Sequence, residues 1–289
     1  MAMQEQRATG LHYLALATDL LQRARLAHPT AGLWEAADLQ WWWRTPRPSD
    51  NVEQSFWLDG DGPVAAVLLT DWGRAWACDP IFVPGVATSM LPVVWSRAIN
   101  LIDSMKLKNV EVLARDDDPA LLQLLGESGF APAEGQSATT WMMAEQRPEP
   151  ASVPEGFRLL DRPEAGRRPH HMVLRSGAEV EARLKQCSLY DPELDLAVEA
   201  PNGDAAAYGL FWFDPVTRVG LVEPMRTEDR YQRLGLARAL LTAGLNQLAA
   251  RGADRLKVGY VNAAARNLYL SAGFEVASTD RTYVRMRSQ

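Results

Sequence analysis

Gln232-Arg233-Leu234-Gly235-Leu236-Ala237 is followed, about one supersecondary unit later, by Asn262-Ala263-Ala264-Ala265-Arg266-Asn267-Leu268-Tyr269-Leu270-Ser271-Ala272-Gly273-Phe274. The first is a loop of the form Gln/Arg-x-x-Gly-x-Gly/Ala at the start of a helix. There, successive backbone N–H groups and the helix N-terminus can hold a pyrophosphate. Small residues are needed because the phosphates approach the backbone itself. The second reads as a helix of the form Asn-x-x-Ala-x-x-Leu-Tyr-x-x-x-Gly-Phe.

Working outward, the spacing predicts a helix over 235–251, a strand over 256–260, a helix over 263–272 and a closing strand near 282–286. Ahead of the loop come a strand at 157–160, a helix near 180–186, and a hairpin from 194–198 across Pro201-Asn202-Gly203 to 206–213. A strand at 220–227 leads into the loop. The stretch 146–155, Gln-Arg-Pro-Glu-Pro-Ala-Ser-Val-Pro-Glu, is proline-rich and lacks apolar periodicity, so it reads as a linker.

The segment before the linker has the same order of elements. Helices are expected over 9–27, with Thr9 as a cap, and over 36–44. Strands follow at 56–58 and 64–70 around Gly60-Asp61-Gly62, and another at 75–82. A helix over 89–105, a strand at 110–114 and a helix over 119–128 complete it. Gly129-Phe130 and Gly273-Phe274 are 273 − 129 = 144 residues apart, and 110–114 matches 257–261 at nearly the same offset. The chain therefore reads as a tandem duplication. We expect domains at 1–148 and 149–289, each an α/β domain with a mixed, mostly antiparallel sheet flanked by helices. The Trp41-Trp42-Trp43 run is assigned to packing.

The halves differ in chemistry. At the loop position the first half has Ile81-Phe82-Val83-Pro84-Gly85-Val86, where Pro84 removes an N–H donor. At the 144-residue offset, Tyr269 matches Leu125 and Asn262 matches Asp118. The first half is expected to wall a substrate cleft and stabilise the second. A remnant of the second half's ligand site is the alternative.

Over 289 residues, 47% apolar content supports two cores. A net charge of −6 argues against a phosphate-tracking basic surface, so nucleic acid is not an expected partner. A cationic or amine substrate suits that field. Cys78 and Cys187 form no disulfide framework and read as core residues. His170-His171 has no partners at metal-ligand spacing, so no metal is expected. The N-terminus lacks a leader pattern and no run approaches 18 apolar residues, which gives the expectation of a soluble, cytoplasmic protein without a membrane partner.

In their order and spacing, the loop and the asparagine-to-phenylalanine helix resemble motifs of the GNAT acetyltransferases, which move an acyl group from coenzyme A to an amine. The resemblance covers 194–286 directly and the first half through the repeat. Within that family the second half looks most like bacterial tandem enzymes of the mycothiol synthase kind, on Leu194-Asp195-Leu196, Glu223-Pro224-Met225 and the degenerate first half. That likeness does not extend to a substrate.

The resemblance implies acetyl-CoA as acyl donor and a small-molecule primary amine as acceptor. It places Met225, Arg226 and Thr227 beside the pantetheine arm, where backbone N–H groups bind the thioester oxygen. Gln232, Arg233, Leu234, Gly235, Leu236 and Ala237 hold the pyrophosphate, and Asn262 and Arg266 steady the cofactor or the loop. Tyr269 protonates the departing thiolate, and Glu223 is the expected base, with Asp195 and His171 as rivals. Two other functions stay open: a non-catalytic acyl-CoA sensor or scaffold, and an acetyltransferase of protein N-termini or lysines.

Overall fold

The computed structural model describes residues 3–286. Two compact units interleave along the chain. The first takes in Met1–Leu39, Pro46–Ala138 and Ala277–Gln289; the second takes in Gln40–Thr45 and Thr139–Val276. The expected boundary at residue 148 is therefore not where the compact units divide. None of the helices among the described residues is long and apolar enough to cross a membrane.

The first unit contains strands β1 (Gln4–Ala8), β2 (Gln54–Asp59), β3 (Gly62–Asp71), β4 (Trp76–Phe82), β5 (Asn109–Arg115) and the short β6 (Ala131–Pro132). Its helices are α1 (Gly10–Ala27), α3 (Ala87–Ser104), α4 (Pro119–Glu127) and the start of α2 (Ala36–Trp43). In the second half of the chain come β7 (Ser137–Met143), β8 (Arg158–Asp161), α5 (Arg162–Ala165), α6 (Val173–Ser176), α7 (Val180–Leu184), β9 (Asp195–Glu199), β10 (Ala205–Asp214) and β11 (Val219–Thr227). They are followed by α8 (Leu236–Ala250), β12 (Arg255–Tyr260), α9 (Ala263–Ser271) and β13 (Glu275–Met286).

The two units repeat one strand pattern. In the first, β1-β2-β3-β4 is an antiparallel meander, β4 and β5 are parallel, and β13 closes the order against β5. In the second, β8-β9-β10-β11 is antiparallel, β11 and β12 are parallel, and β7 closes the order beside β12. The closing strands are exchanged between the halves. β7, from the first half of the sequence, enters the second unit at Thr139, and β13, from the second half, enters the first unit at Ala277. Thr140 Oγ1 donates to the Val258 carbonyl at 2.7 Å, tying β7 to β12.

Helix caps also repeat. Asp118 accepts from Leu121 N at the start of α4 (3.1 Å), and Asn262 accepts from Ala265 N at the start of α9 (2.9 Å). Their separation is the same 262 − 118 = 144 residues.

Helix α8 packs on the strands of the second unit by burying Leu236, Leu240, Leu241, Leu245 and Leu248. Each such side chain stabilises the fold by roughly 1.5–3 kcal/mol. Close approach comes from Gly244, where a Cβ would lie 2.2 Å from ring atoms of Phe211. This contact brings the middle of α8 close to the sheet. Trp41 and Trp43 are buried and stacked under Arg44 and Arg183, each at 3.5 Å from its ring centre, so they pack as expected. Cys78 and Cys187 are both buried and unpaired.

Candidate active site

The parallel strands of the second unit pair over only three residues, Val219–Leu221 against Arg255–Lys257. Beyond that point β11 runs on to Thr227 and β12 to Tyr260 without pairing to each other. The strands separate into a V, and alternate N–H groups of β11 are directed into the opening, since only the other edge pairs with β10.

A bulge sets the direction of this free edge. Gly209 pairs with Met225 and Phe211 with Val222, so Glu223 and Pro224 together oppose the single residue Leu210. The Glu223 carbonyl, displaced from the ladder, accepts from Trp212 Nε1 at 2.7 Å. Gly209 fits beneath the bulge because a Cβ there would meet the Pro224 carbonyl and Met225 Cγ at 3.2 Å. The first unit's matching strands are also splayed, pairing only at Trp76–Val110 and Ala77–Glu111. There, however, β3 and β4 pair from Ala65–Phe82 to Asp71–Trp76 without a shift.

The same 144-residue offset places Asp79-Pro80 of β4 opposite Glu223-Pro224 of β11. Asp79 is buried, accepts from Trp34 Nε1 at 3.1 Å, and burial pushes its carboxyl up to about 7. Glu223 is only half-buried. The repeat thus keeps the acid and its proline while giving the two carboxyls different surroundings.

A cleft of about 530 Å³ lies along the free edge of β11, at the N-termini of α8 and α9. Its volume falls in the range of small-molecule sites. Of the residues expected from sequence, Met225, Arg226, Thr227, Gln232, Arg233, Gly235, Leu236, Ala237, Asn262 and Tyr269 line it. Leu234 is exposed, and it, Arg266 and Glu223 are not part of the lining. Asn262 spends its side-chain oxygen on the α9 cap.

Gly235 sits at the α8 N-cap with φ 82° and ψ −2°, the left-handed conformation that glycine adopts without strain. A Cβ there would meet nothing within 4 Å, so the loop faces open space. The first bond of the helix runs from Ala239 N to the Gly235 carbonyl at 3.1 Å. N–H groups ahead of it have no intrahelical acceptor and, with the positive end of the helix dipole, suit an anion. Arg233 and Arg238 are exposed at the same end.

At the other end Tyr269 is buried and packs edge-on against Phe274, with ring centres 6.2 Å apart. Burial, with the Glu223 charge added to it, pushes its phenol well above the ordinary range. The hydroxyl therefore stays protonated at neutral pH.

Sequence reasoning missed Tyr231, Arg238, Ala264, Ala265 and Leu268, which also line the cleft. Helical periodicity could have found two of them, since Ala265 and Leu268 share the Tyr269 face of α9. It also left His170 and His171 without partners. Both rings reach Asp195, with Nε2 atoms 2.7 and 3.0 Å from its two carboxylate oxygens.

Residues 158–274 match the Acetyltransferase (GNAT) family. No curated protein matches the chain in sequence. Among solved structures, a tandem GNAT protein from the clavulanic acid biosynthesis pathway is similar at 14% identity and TM-score 0.71, covering 100% of both chains. A GCN5-related N-acetyltransferase from Sphaerobacter thermophilus is similar at 16% identity and TM-score 0.66, covering 98% of this chain and 95% of that one. An acetyltransferase of the GNAT family from Colwellia psychrerythraea follows at 13% identity and TM-score 0.59, covering 98% and 100%. The GNAT family match thus lies within the second half of the chain, and the chain as a whole shares the fold of a tandem GNAT protein.

Proposed function

We propose that the chain transfers the acetyl group of acetyl-CoA to a primary amine of a small molecule, and that the second unit carries the reaction. The observation supporting this is that one cleft unites the glycine loop, the free edge of β11 and Tyr269. The loop N–H groups and Arg233 suit the pyrophosphate. The extended edge Met225–Thr227 suits an amide-bearing arm and supplies N–H donors to a carbonyl oxygen that gains negative charge.

Tyr269, held protonated, gives its proton to the departing thiolate in this reading. Glu223 acts on that phenol through its charge, and its carboxylate is one proton acceptor for the amine. The acidic overall charge favours a cationic acceptor. Two buried, unpaired thiols fit a reducing compartment, and we place the reaction in the cytoplasm.

The test is thiol release from acetyl-CoA in the presence of a panel of polyamines, aminoglycosides and amino-acid amines, with product mass measured. Acetylated amine formed in step with free thiol supports the reading. Binding of acetyl-CoA without turnover of any amine, or turnover only on lysine-bearing peptides, refutes it.

A further inference from the structure

A buried polar cluster lies on the face of the second unit's strands that is turned away from α8. Leu196, Val198, Ala207 and Phe211 pack with α8, so their alternating neighbours Asp195 and Tyr208 point to the other face. There Asp195 meets His170, His171 and Tyr190, all from the segment between β8 and β9. One ligand-type atom from each histidine and from the carboxylate lie within 4.8 Å of one another. Spacing along the chain hid this group and gave the expectation of no metal, because Asp195 comes 195 − 171 = 24 residues after His171.

The two oxygens of Asp195 have different surroundings. Oδ2 accepts from Tyr190 Oη at 2.8 Å and lies 2.7 Å from His170 Nε2. His170 Nδ1 accepts from Met172 N at 3.2 Å, so Nδ1 is bare and Nε2 carries the proton given to Oδ2. His170 is therefore a donor, with no lone pair left for an ion.

Oδ1 has no donor. His171 Nε2 is 3.0 Å away, close enough for a hydrogen bond but not directed for one, and neither atom has a partner. The side chains of Asp195 and His171 are 0% and 7% exposed, so water outside the fold does not satisfy them. Leaving two such atoms unpaired costs free energy. Both need a third partner that lies between them.

Charge decides what that partner is. Burial acts to raise the Asp195 carboxyl, but hydrogen bonding, that of His170 foremost, holds it below the usual carboxylate range, so it is ionised. Among the described residues no lysine or arginine pairs with it. A buried anion held by neutral donors calls for a countercharge. No hydrogen bond keeps a proton at His171 Nε2, so the neutral ring can carry its proton on Nδ1 and present Nε2 bare.

We infer that His171 Nε2 and Asp195 Oδ1 bind a divalent cation of the zinc class between them. Imidazole with carboxylate selects zinc and its transition-metal neighbours over magnesium and calcium, which favour oxygen alone. At metal–ligand lengths of about 2.0–2.2 Å, two ligand atoms 3.0 Å apart subtend about 95° at the ion, between the octahedral and tetrahedral angles. His170 and Tyr190, bonded to Oδ2, are the outer partners that a ligating carboxylate keeps. Water fills the ion's other positions.

His170, His171, Tyr190 and Asp195 do not line the cleft, so the ion cross-links the fold and touches no reacting atom. It joins the segment between β8 and β9 to β9 itself. Tyr190 extends the cluster toward the bulge, its ring centre 6.2 Å from that of Trp212, which donates to the Glu223 carbonyl. The site does not depend on the acetyl-transfer reading.

The test strips the full chain with EDTA and titrates Zn²⁺ by calorimetry near neutral pH. Wild type is compared with His171→Gln, with His170→Gln, and with a His12→Gln/His28→Gln control that removes the two histidines outside the cluster. Wild type and control should each bind one ion per chain, and His171→Gln should show no measurable binding. His170→Gln, which loses an outer donor, should bind about 10–100-fold more weakly. Zinc should raise the thermal midpoint of wild type and leave that of His171→Gln unmoved. X-ray absorption of zinc-loaded wild type should show nitrogen and oxygen at about 2.0–2.2 Å and no sulfur.

The wild-type titration and its absorption spectrum decide the matter whether or not any variant folds. No binding by folded wild type, undiminished affinity in His171→Gln, loss of binding in the control, or a sulfur shell from Cys78 or Cys187 overturns the inference. None of these readouts uses acetyl-CoA, so such a result leaves the proposed reaction standing.

Discussion

Replacing Tyr269 by Phe removes one atom from the cleft and separates chemistry from packing. The ring keeps its edge contact with Phe274 and its place in the core between α8 and α9. Because the residue lines the cleft, deleting its hydroxyl should change stability by no more than about 1 kcal/mol. Losing a general acid costs on the order of a hundredfold in turnover, which corresponds to about 2.7 kcal/mol of transition-state stabilisation. The raised phenol also fixes the pH behaviour. Burial and the Glu223 charge keep Tyr269 protonated through neutral pH, so its loss should lower the whole kcat profile without moving a limb near neutrality. The assay is steady-state kinetics on an accepted amine, with acetyl-CoA affinity and thermal midpoint measured on the same preparation. Near-normal turnover in the folded variant would refute the role, because water or another residue would then be protonating the thiolate.

Gly244→Ala should destabilise the second unit by about 1–3 kcal/mol, since the new Cβ meets Phe211 at 2.2 Å; Phe211→Leu in the same chain should recover part of the loss in denaturant unfolding. Trp212→Phe should cost about 1–3 kcal/mol by leaving the displaced Glu223 carbonyl without its donor, and should lower turnover through the bulge; unchanged stability and rate would count against the bulge as a positioning element. Asp79 predicts a pH dependence. Its carboxyl moves from 3.8 to about 7 on folding, so the native state binds the extra proton between those values and stability falls as pH rises through that window. Asp79→Asn should therefore raise the thermal midpoint at pH 8, by an amount worth a few kcal/mol, and change it little at pH 4. A midpoint shift of equal size at both pH values would refute it.

Local motifs carried the cleft, while pairing decided what they could not reach. The glycine loop and the Tyr269 helix each specify a backbone conformation within a dozen residues, and all but three of the residues assigned from them or from β11 line one cleft. The 144-residue offset likewise anticipated two matching strand patterns and two matching helix caps. The exchange of β7 and β13 was not legible, because a strand's residues fix its propensity and faces but not which sheet it joins. β7 itself, Ser137–Met143, went unread as a strand, as did β1. Glu223 was expected in the cleft, but the bulge that displaces its carbonyl depends on Trp212 and Gly209 across the ladder. His171 and Asp195 are 24 residues apart with no motif between them. Only the pairing of β9 with β10 sets Asp195 on the face where the two histidines meet it.

The central claim is that acetyl-CoA binds at the Gly235 loop of the second unit. Titration calorimetry of acetyl-CoA against wild type, Gly235→Ala and Gly235→Asp tests it most directly. Alanine reports the cost of a Cβ at φ 82°, about 1–2 kcal/mol of backbone strain. Aspartate, which tolerates that conformation better, adds a negative charge where the pyrophosphate is proposed to lie. The account predicts one acetyl-CoA per wild-type chain and no measurable binding to a folded Gly235→Asp protein. Undiminished affinity in that variant, or two equivalent sites per chain, would contradict it.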